Sequence, residues 1–275
     1  MWRTSNSVET QENNPPTESF HVTIEERRLT GGQSDNAKLL KIGIFAAVYL
    51  LDNTVVRKVP RGNACEDALP IIREAMHPRI AECLLLGRMD FVDTWYYSNG
   101  DLAAFISNWA NNLDCDLWRK WFRQIIEAVN LIHKHNIIHS DLALRQFFLD
   151  DNLDICLGDF NLAQCPGHLA LGYKKASHCL LRDYEALNSV ASDLFALGLT
   201  LYELSVGKVL YSELYWTDPQ NHAHSNCEIE NLYRNQKFPD VNGLWGENII
   251  LGCWKGIITT SGEAVNLCLE LENTS

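Results

Sequence analysis

The amino-acid sequence predicts a two-lobed α+β fold in which a small strand-rich lobe precedes a larger helical lobe. Two runs rich in β-branched and other apolar residues, KLLKIGIFAAVYLL and TVVRKV, lie between residues 38 and 60 and flank the turn-forming pair Asp52-Asn53. From residue 101 onwards, apolar residues recur three and four positions apart, which is the period of an amphipathic helix. We expect the joint between the lobes near residues 95–100.

Individual elements follow from the same patterns. The two N-terminal runs predict a strand, a turn and a strand. Residues 63–77 predict a short helix, although Pro70 weakens it. Further helices are expected over residues 101–110, where Asp101 is a candidate cap, and over residues 114–135. Residues 190–206 are apolar on nearly all sides, so this helix should be deeply buried.

Composition restricts the class of protein. The 275 residues are 46% hydrophobic and 21% charged, which is typical of a globular chain with one large or two small domains. A net charge of −12 argues against nucleic acid or an anionic membrane as a partner. Residues 1–20 lack the apolar segment of a secretory signal. The apolar run from Leu39 to Leu51 is too short to cross ~30 Å of hydrocarbon, so we interpret it as a buried strand or hairpin.

Nine cysteines raise the question of a disulfide framework or a metal site. Their number is odd, and no two have the C-x-x-C spacing that a zinc site favours. Reduced, mostly buried thiols in the cytoplasm or the nucleus are the better interpretation.

The most informative stretch of the chain runs through its middle. Residues 138–146 read IHSDLALRQ, residues 157–161 read LGDFN, and eighteen positions separate Asp141 from Asp159. This pattern resembles the protein kinase superfamily, whose catalytic loop reads H-R-D-L-x-x-x-N and whose metal loop reads D-F-G. The strings SDLFALG and KFPDV, followed by Cys253-Trp254, are similar to a group of divergent kinase-like proteins of filamentous fungi.

The resemblance implies a bilobal protein kinase-like fold and the cofactors ATP and Mg²⁺. By this resemblance Asp141 orients the acceptor hydroxyl and acts as the base, and Lys58 pairs with the nucleotide phosphates. Asp159 supplies a hard oxygen ligand for Mg²⁺, and Gln146 takes the place of the family's second metal ligand, an Asn. Arg145 is a candidate to screen the charge of the transferred phosphate.

The resemblance also implies a nucleotide pocket. In the phosphate-covering loop the family has three glycines, whereas here only Gly43 remains, with Lys41 and Ala46 at the other two positions. Val48 and Val56 are expected above the adenine and Phe148 below it, although ordinary core packing explains these three residues equally well.

The acidic partner of Lys58 is open at this stage. The family places a Glu on a helix that precedes a His-Pro pair, here His77-Pro78. We choose Glu66, while Asp67 and Glu74 remain alternatives.

Several departures from the family pattern bear on activity. Ser140 replaces an Arg that pairs with a phosphorylated activation loop, so we expect regulation without that phosphorylation. Gln146 is one methylene longer than Asn, which threatens the position of one metal ion. Asn161 replaces the Gly of D-F-G and is the most tolerable change, because Asn enters the left-handed region readily. The resemblance implies that Asp193 braces the catalytic loop from the helix beneath it, and a plain helix cap is the alternative.

These observations favour a slow ATP-dependent protein kinase, with Ser/Thr acceptors preferred and Tyr not excluded. A pseudokinase scaffold with weak or no turnover is the first alternative, and a small-molecule phosphotransferase is the second. The expected organisation is a flexible N-terminal extension over residues 1–35 and a kinase-like domain over residues 36–256. Its lobes meet near 97/98, and residues 257–275 form a divergent end of the helical lobe. The protein substrate is not specified by the sequence.

Overall fold

The computed structural model describes residues 37–43, 46–61, 77–85, 91–109, 114–167, 178–180, 187–216 and 222–274. Residues 35–275 form one compact unit. An antiparallel sheet comes first in this unit and a helical region follows, which confirms the predicted α+β fold. The expected N-terminal extension and the expected helix over residues 63–77 lie outside the described residues.

The N-terminal sheet has five strands in the spatial order β1-β2-β3-β5-β4. Their bounds are β1 Lys38–Ile42, β2 Ala46–Leu50, β3 Val55–Pro60, β4 Cys83–Leu85 and β5 Val92–Trp95. The first apolar run therefore forms two strands, which is the hairpin of the two alternatives expected there, but β1 is exposed and not buried as predicted. Asp52 makes the next turn as expected, because its side chain accepts hydrogen bonds from the backbone N–H groups of Thr54 and Val55.

The strand register decides which side chains share a face of the sheet. Val48 lies opposite Lys58, and Val56 lies opposite Thr94. Because side chains alternate between faces along a strand, Val48, Val56 and Lys58 project from the same face. The sheet thus presents one cation and two apolar side chains together.

An ion pair between β3 and β5 lies on the opposite face of the sheet. The Arg57 guanidinium donates two hydrogen bonds of 2.8 Å to the Asp93 carboxylate, and it lies 3.6 Å from the centre of the Phe91 ring. Bidentate pairing of this kind fixes direction as well as distance. It ties β3 to β5 at the residue next to Lys58.

The described part of the C-terminal region contains a small hairpin and seven α-helices. The hairpin strands are β6 Phe147–Leu149 and β7 Ile155–Leu157. The helices are α1 Leu102–Trp109, α2 Cys115–Lys134, α3 Val190–Val206, α4 Ser212–Trp216, α5 His222–Arg234, α6 Glu247–Trp254 and α7 Ser261–Thr274. Asp101 caps α1 as predicted, since its carboxylate accepts from the Ala104 N–H at 3.0 Å.

Helix α3 forms the centre of the core. Ser189 and Ser192 make a reciprocal capping box at its start, and Gly207 ends it in the left-handed conformation. Twelve of its seventeen residues are buried, as the apolar pattern predicts. Helix α6 packs so closely on α3 that a Cβ atom at Gly198 would lie 2.8 Å from the Cβ of Cys253.

The last helix, α7, packs along α2. At its first residue, the Ser261 hydroxyl lies 3.1 Å from Nδ1 of His133 and 3.2 Å from Oδ1 of Asn130. Residues beyond 256 are therefore tied by side-chain hydrogen bonds to the longest helix of the region.

The cysteines agree with the expectation of buried thiols. None of the eight cysteines in the described part of the chain forms a disulfide bond, and five of them are buried. Burial raises the pKa of the Cys253 thiol to about 12, so this side chain stays protonated at neutral pH. No helix among the described residues has the length and apolar character needed to cross a membrane.

The close packing of α3 on α6 gives a stability prediction. Gly198→Ala should lower the free energy of unfolding by about 1–3 kcal/mol, because the added methyl group must displace Cys253 and the Trp254 ring. Gly262→Ala is the matched control, since the nearest atoms to its Cβ lie at 3.8 Å. Urea unfolding of both variants measures the difference, and equal midpoints would contradict the close contact.

Candidate active site

A buried carboxylate on α3 holds the loop that contains Asp141. Asp193 is fully buried, and its oxygens accept hydrogen bonds from the backbone N–H groups of His139 at 2.7 Å and Ser140 at 3.1 Å. The ring of His133 approaches the same carboxylate at 3.3 Å. The sequence predicts this bracing role, and the structure places Asp193 accordingly.

Ser140 shows why the brace matters. Its backbone has φ +69°, a left-handed conformation that a non-glycine residue adopts at a cost of about 1–2 kcal/mol. The hydrogen bond from its N–H to Asp193 offsets that cost and turns the next residue, Asp141, out of the core.

The Asp141 carboxylate is oriented by two neighbouring side chains. The Arg145 guanidinium donates to one oxygen at 2.6 Å, and the Gln146 amide nitrogen donates to the other at 2.5 Å. Both donors lie on a short 3-10 turn, Leu144–Gln146. Arg145 therefore contacts Asp141, the predicted base, whereas the sequence predicted for it only a contact with the transferred phosphate.

Gln146 also links Asp141 to the second loop. Its side chain is buried, and its backbone C=O accepts a hydrogen bond of 2.9 Å from the N–H of Gly158. Gly158 directly precedes Asp159. The two predicted metal ligands, Gln146 and Asp159, thus lie on adjoining segments.

Lys58 reaches Asp159 across 101 positions of the chain. The distance from Lys58 Nζ to Asp159 Oδ1 is 2.5 Å. Asp159 has φ +58° and ψ +61°, so the left-handed conformation directs its side chain towards the strand that carries Lys58. The Asp159 side chain is 40% exposed and that of Lys58 is 15% exposed, which leaves the carboxylate open to a solvent-borne ligand.

Charge near Asp159 controls its protonation. Burial favours the neutral acid and raises the pKa of Asp159, but the Lys58 ammonium and its hydrogen bond outweigh burial. His139 and Lys41 act in the same direction, and the net pKa lies below the usual value. The site therefore carries a full carboxylate at neutral pH.

His139 connects the loop that contains Asp141 to the segment that contains Asp159. Its ring is fully buried, lies 5.1 Å from the Phe160 ring, and places Nε2 2.9 Å from the C=O of Gly158. Burial lowers the pKa of His139 more strongly than Asp193 raises it, so the imidazole is neutral. In this neutral ring Nε2 carries the proton and donates it to the carbonyl.

The predicted nucleotide-pocket residues lie on the N-terminal sheet and on the hairpin of the helical region. Val48 and Val56 share the sheet face of Lys58, while Phe148 lies on β6 of the helical region. The N–H of Gly43 donates to the C=O of Ala46 at 2.8 Å and closes the tip of the β1–β2 hairpin. Glu66, Asp67 and Glu74 lie outside the described residues.

Tyr97 is a neighbour that sequence reasoning missed. Its ring stacks on Phe148 with centroids 5.7 Å apart, and its hydroxyl accepts from the backbone N–H of Glu82 at 3.0 Å. Gly158 completes this contact, because a Cβ there would lie 2.8 Å from the Phe148 ring. The consecutive aromatic residues Trp95, Tyr96 and Tyr97 indicate an aromatic contact near the end of β5, but the sequence does not show which of the three makes it.

Asn161 corrects one expectation. The left-handed residue of this segment is Asp159, whereas Asn161 lies in the 3-10 turn Phe160–Leu162 and has no positive φ. The change from Gly to Asn at position 161 is therefore tolerated because this turn suits ordinary residues. Access of Asn to the left-handed region is not the reason.

Comparison with known proteins agrees with this geometry. The family model described as "Protein kinase domain" matches residues 89–270, which is about two thirds of the chain. The match begins just before β5, so the strands that carry Lys41, Val48 and Lys58 precede it.

Three relatives illustrate the similarity. The chain is 28% identical to a carbon catabolite-derepressing protein kinase of Secale cereale over 73% of this chain and 42% of the relative. It is 25% identical to CBL-interacting serine/threonine-protein kinase 5 of Arabidopsis thaliana over 66% and 46%, respectively. It is also 25% identical to the SNF1-like protein kinase ssp2 of Schizosaccharomyces pombe over 61% and 30%. The aligned regions span less than half the length of these relatives.

Loss of the Asp193 carboxylate should destabilise the loop that contains His139, Ser140 and Asp141. We expect Asp193→Asn to lower the free energy of unfolding by about 2 kcal/mol, because an amide nitrogen then faces a buried backbone N–H. Exposed Asp151→Asn provides the control, with no measurable change expected. Thermal unfolding of the two variants separates the cases, and an unchanged midpoint for Asp193→Asn would refute the bracing role.

The Lys58–Asp159 pair predicts a dependence on pH. Because the folded pKa of Asp159 is lowered, the pair stabilises the fold fully above the unfolded pKa of about 3.9. That contribution is lost as the pH falls through the lower folded value. Lys58→Met should raise the pKa of Asp159, which a carbon-13 NMR titration of the carboxyl group detects.

A matched control uses another lysine. Lys120 lies 2.7 Å from Asp154 and lowers the pKa of that carboxyl in spite of burial. Lys120→Met should therefore move the titration of Asp154 and leave that of Asp159 in place. A shift of Asp159 in both variants would mean that the Lys58 contact is not specific.

The family model covers two thirds of the sequence, and the relatives are protein kinases of plants and fungi. The arrangement of Lys58, Asp141 and Asp159 is consistent with both findings. This chain therefore belongs to the protein kinase family.

Proposed function

We propose that the chain is a slow ATP-dependent protein kinase that transfers the γ-phosphate to a protein hydroxyl, with Ser and Thr favoured over Tyr. The observation that supports this most directly is the contact between Lys58 and Asp159. It brings together an ammonium and a carboxylate that are 101 positions apart. Neither local packing nor the fold of either lobe alone requires that pairing.

The two sides of the cleft suit a nucleotide. Lys58 supplies a cation for the phosphates on the same face as Val48 and Val56, which provide apolar surface for a purine ring. Phe148, held by its stack on Tyr97, provides the opposing apolar surface. A site with one charged end and one apolar end fits a molecule with the same division.

The residues present also fit Mg²⁺. The Asp159 carboxylate is a partly exposed oxygen ligand, and Gln146 has an amide oxygen left over after its nitrogen has donated to Asp141. When bound, Mg²⁺ supplies positive charge that neutralises the phosphates during transfer.

Asp141 performs the proton transfer in this proposal. Arg145 and Gln146 hold its carboxylate in one orientation, so that it hydrogen-bonds the acceptor hydroxyl and takes its proton. The hydroxyl oxygen forms the new bond to the γ-phosphorus while the bond to the bridging oxygen breaks, and ADP leaves with that electron pair. Arg145 balances the charge around Asp141.

Gln146 is the reason for proposing slow turnover. Its longer side chain is buried and bonded to Asp141, and an error of about 1 Å in the placement of a catalytic group can cost ~10²-fold in rate. The same observation favours the second candidate, a pseudokinase that binds nucleotide without transfer. The Ser140 hydroxyl donates to the C=O of Ile138 within the same loop, and this short side chain carries no charge that could pair with a phosphate, which supports regulation without a phosphorylated activation loop.

Transfer of radiolabelled γ-phosphate tests the proposal. We expect the purified chain to label itself or generic protein acceptors, and Asp141→Asn to reduce the rate by at least ~10²-fold, because the base is lost. Asp151→Asn, an exposed carboxylate in the β6–β7 turn, is the control and should leave the rate unchanged. Phosphoamino-acid analysis then separates Ser/Thr from Tyr acceptors.

The outcomes distinguish the candidates. Nucleotide binding without transfer, with Asp141→Asn equal to the wild type, would establish the pseudokinase. A sugar or an aminoglycoside that is phosphorylated faster than protein would point to a small-molecule phosphotransferase.

A further inference from the structure

Lys41 stands where the family has the first glycine of its phosphate-covering loop, and strand register places it in line with Lys58. On β1, Lys41 lies opposite Val48 of β2, and Val48 lies opposite Lys58 of β3. Directly opposed residues on antiparallel strands project from the same face of a sheet. Lys41, Val48 and Lys58 therefore form one row, with a cation at each end and an apolar residue between them.

A register irregularity puts Lys41 in that row. Lys38 pairs with Leu50 and Leu39 pairs with Tyr49, but the next pair is Lys41 with Val48, so one residue of β1 is extra at Leu40. With regular alternation from Lys38, Lys41 would project from the opposite face. The bulge at Leu40 thus turns the Lys41 side chain towards the face that carries Lys58, which is a known use of bulges beside active sites.

Described residues on either side of the hairpin tip are held by hydrogen bonds. The Arg61 guanidinium donates to the C=O of Gly43 at 3.0 Å, and the Gly43 N–H bonds to Ala46. These contacts tie Gly43, two residues after Lys41, to Arg61 at the end of β3 and to Ala46 at the start of β2. Lys41 therefore sits at a defined place relative to Lys58.

The Lys41 residue is exposed, as a ligand-binding group must be. The whole of β1 is exposed, and none of the ion pairs between described residues involves Lys41. Its charge is nevertheless felt at Asp159, where it acts in the same direction as Lys58. Two cations on one sheet face, one of them bonded to a carboxylate suited to a metal, match the charge pattern of a polyphosphate with its metal ion.

We propose that Lys41 is a second phosphate-binding residue, which holds the triphosphate of the nucleotide from the β1 side while Lys58 holds it from β3. This inference rests on the proposed nucleotide-binding function. Lys41 replaces, with one long side chain, part of the contact that glycine-rich loops make with backbone N–H groups. Selectivity should then depend on the number of phosphates in the ligand.

Calorimetric titration with ATP, ADP and adenosine in the presence of Mg²⁺ tests this role. Lys41→Met should weaken ATP binding by about tenfold, ADP binding by less and adenosine binding by less than twofold, because a charge-assisted contact to phosphate is lost. Lys41→Arg should keep the affinity within about threefold. The loss in Lys41→Met should shrink as salt concentration rises.

Lys38→Met is the matched control, since Lys38 lies on the same strand and face but at the far end from the loop. It should leave all three affinities within twofold. The inference is overturned if Lys41→Met leaves ATP binding unchanged, if it weakens adenosine equally, or if Lys38→Met has the same effect. If the wild-type chain binds none of the three ligands, the proposed function fails as well.

Discussion

The carboxylate of Asp193 is the group on which the geometry of the candidate active site depends. A fully buried carboxylate costs several kcal/mol unless its oxygens are satisfied, and here two backbone N–H groups and an imidazole satisfy them. One of those N–H groups belongs to Ser140, whose left-handed backbone would otherwise relax. The need to satisfy a buried charge and the need to present Asp141 are therefore met by the same hydrogen bonds.

From Asp193, contacts lead outwards to the sheet in short steps. His139 links the brace to the carbonyl of Gly158, and Gln146 links Asp141 to the N–H of that glycine. Asp159 follows and pairs with Lys58. Exposure rises along this path, from a fully buried Asp193 to an Asp159 side chain that is 40% exposed. Buried Asp193 and the partly exposed Asp159 are thus connected by one series of hydrogen bonds.

How much of this could be predicted depends on the kind of signal. Helices α2 and α3 were predicted almost to the residue, because long periodic patterns and capping residues mark their ends. The sequence left open whether the first apolar run forms one strand or the hairpin of β1 and β2, since its residues are largely apolar on both sides of Gly43. Likewise, the extra residue at Leu40 leaves no trace in hydrophobicity, although it decides where Lys41 projects.

In the candidate site, too, some features could be predicted from the sequence and others could not. The spacing of motifs identified Asp141, Asp159 and Lys58, and the structure brings Asp159 and Lys58 into contact. Pairings between side chains were beyond the sequence, because positions four and five residues after Asp141 do not reveal that Arg145 and Gln146 both face it. The Tyr97 stack on Phe148 depends on contact between the lobes, which no local pattern encodes.

The hydrogen bonds of Ser261 bear on where the catalytic unit ends. Sequence divergence suggested a boundary at residue 256, yet Ser261 bonds His133, whose ring in turn approaches Asp193. A shortened chain that stopped at 256 would strip partners from two side chains of α2, His133 and Asn130, one contact away from the brace. The final helix therefore supports the loop that presents Asp141, and its loss would reach that loop through His133 and Asp193.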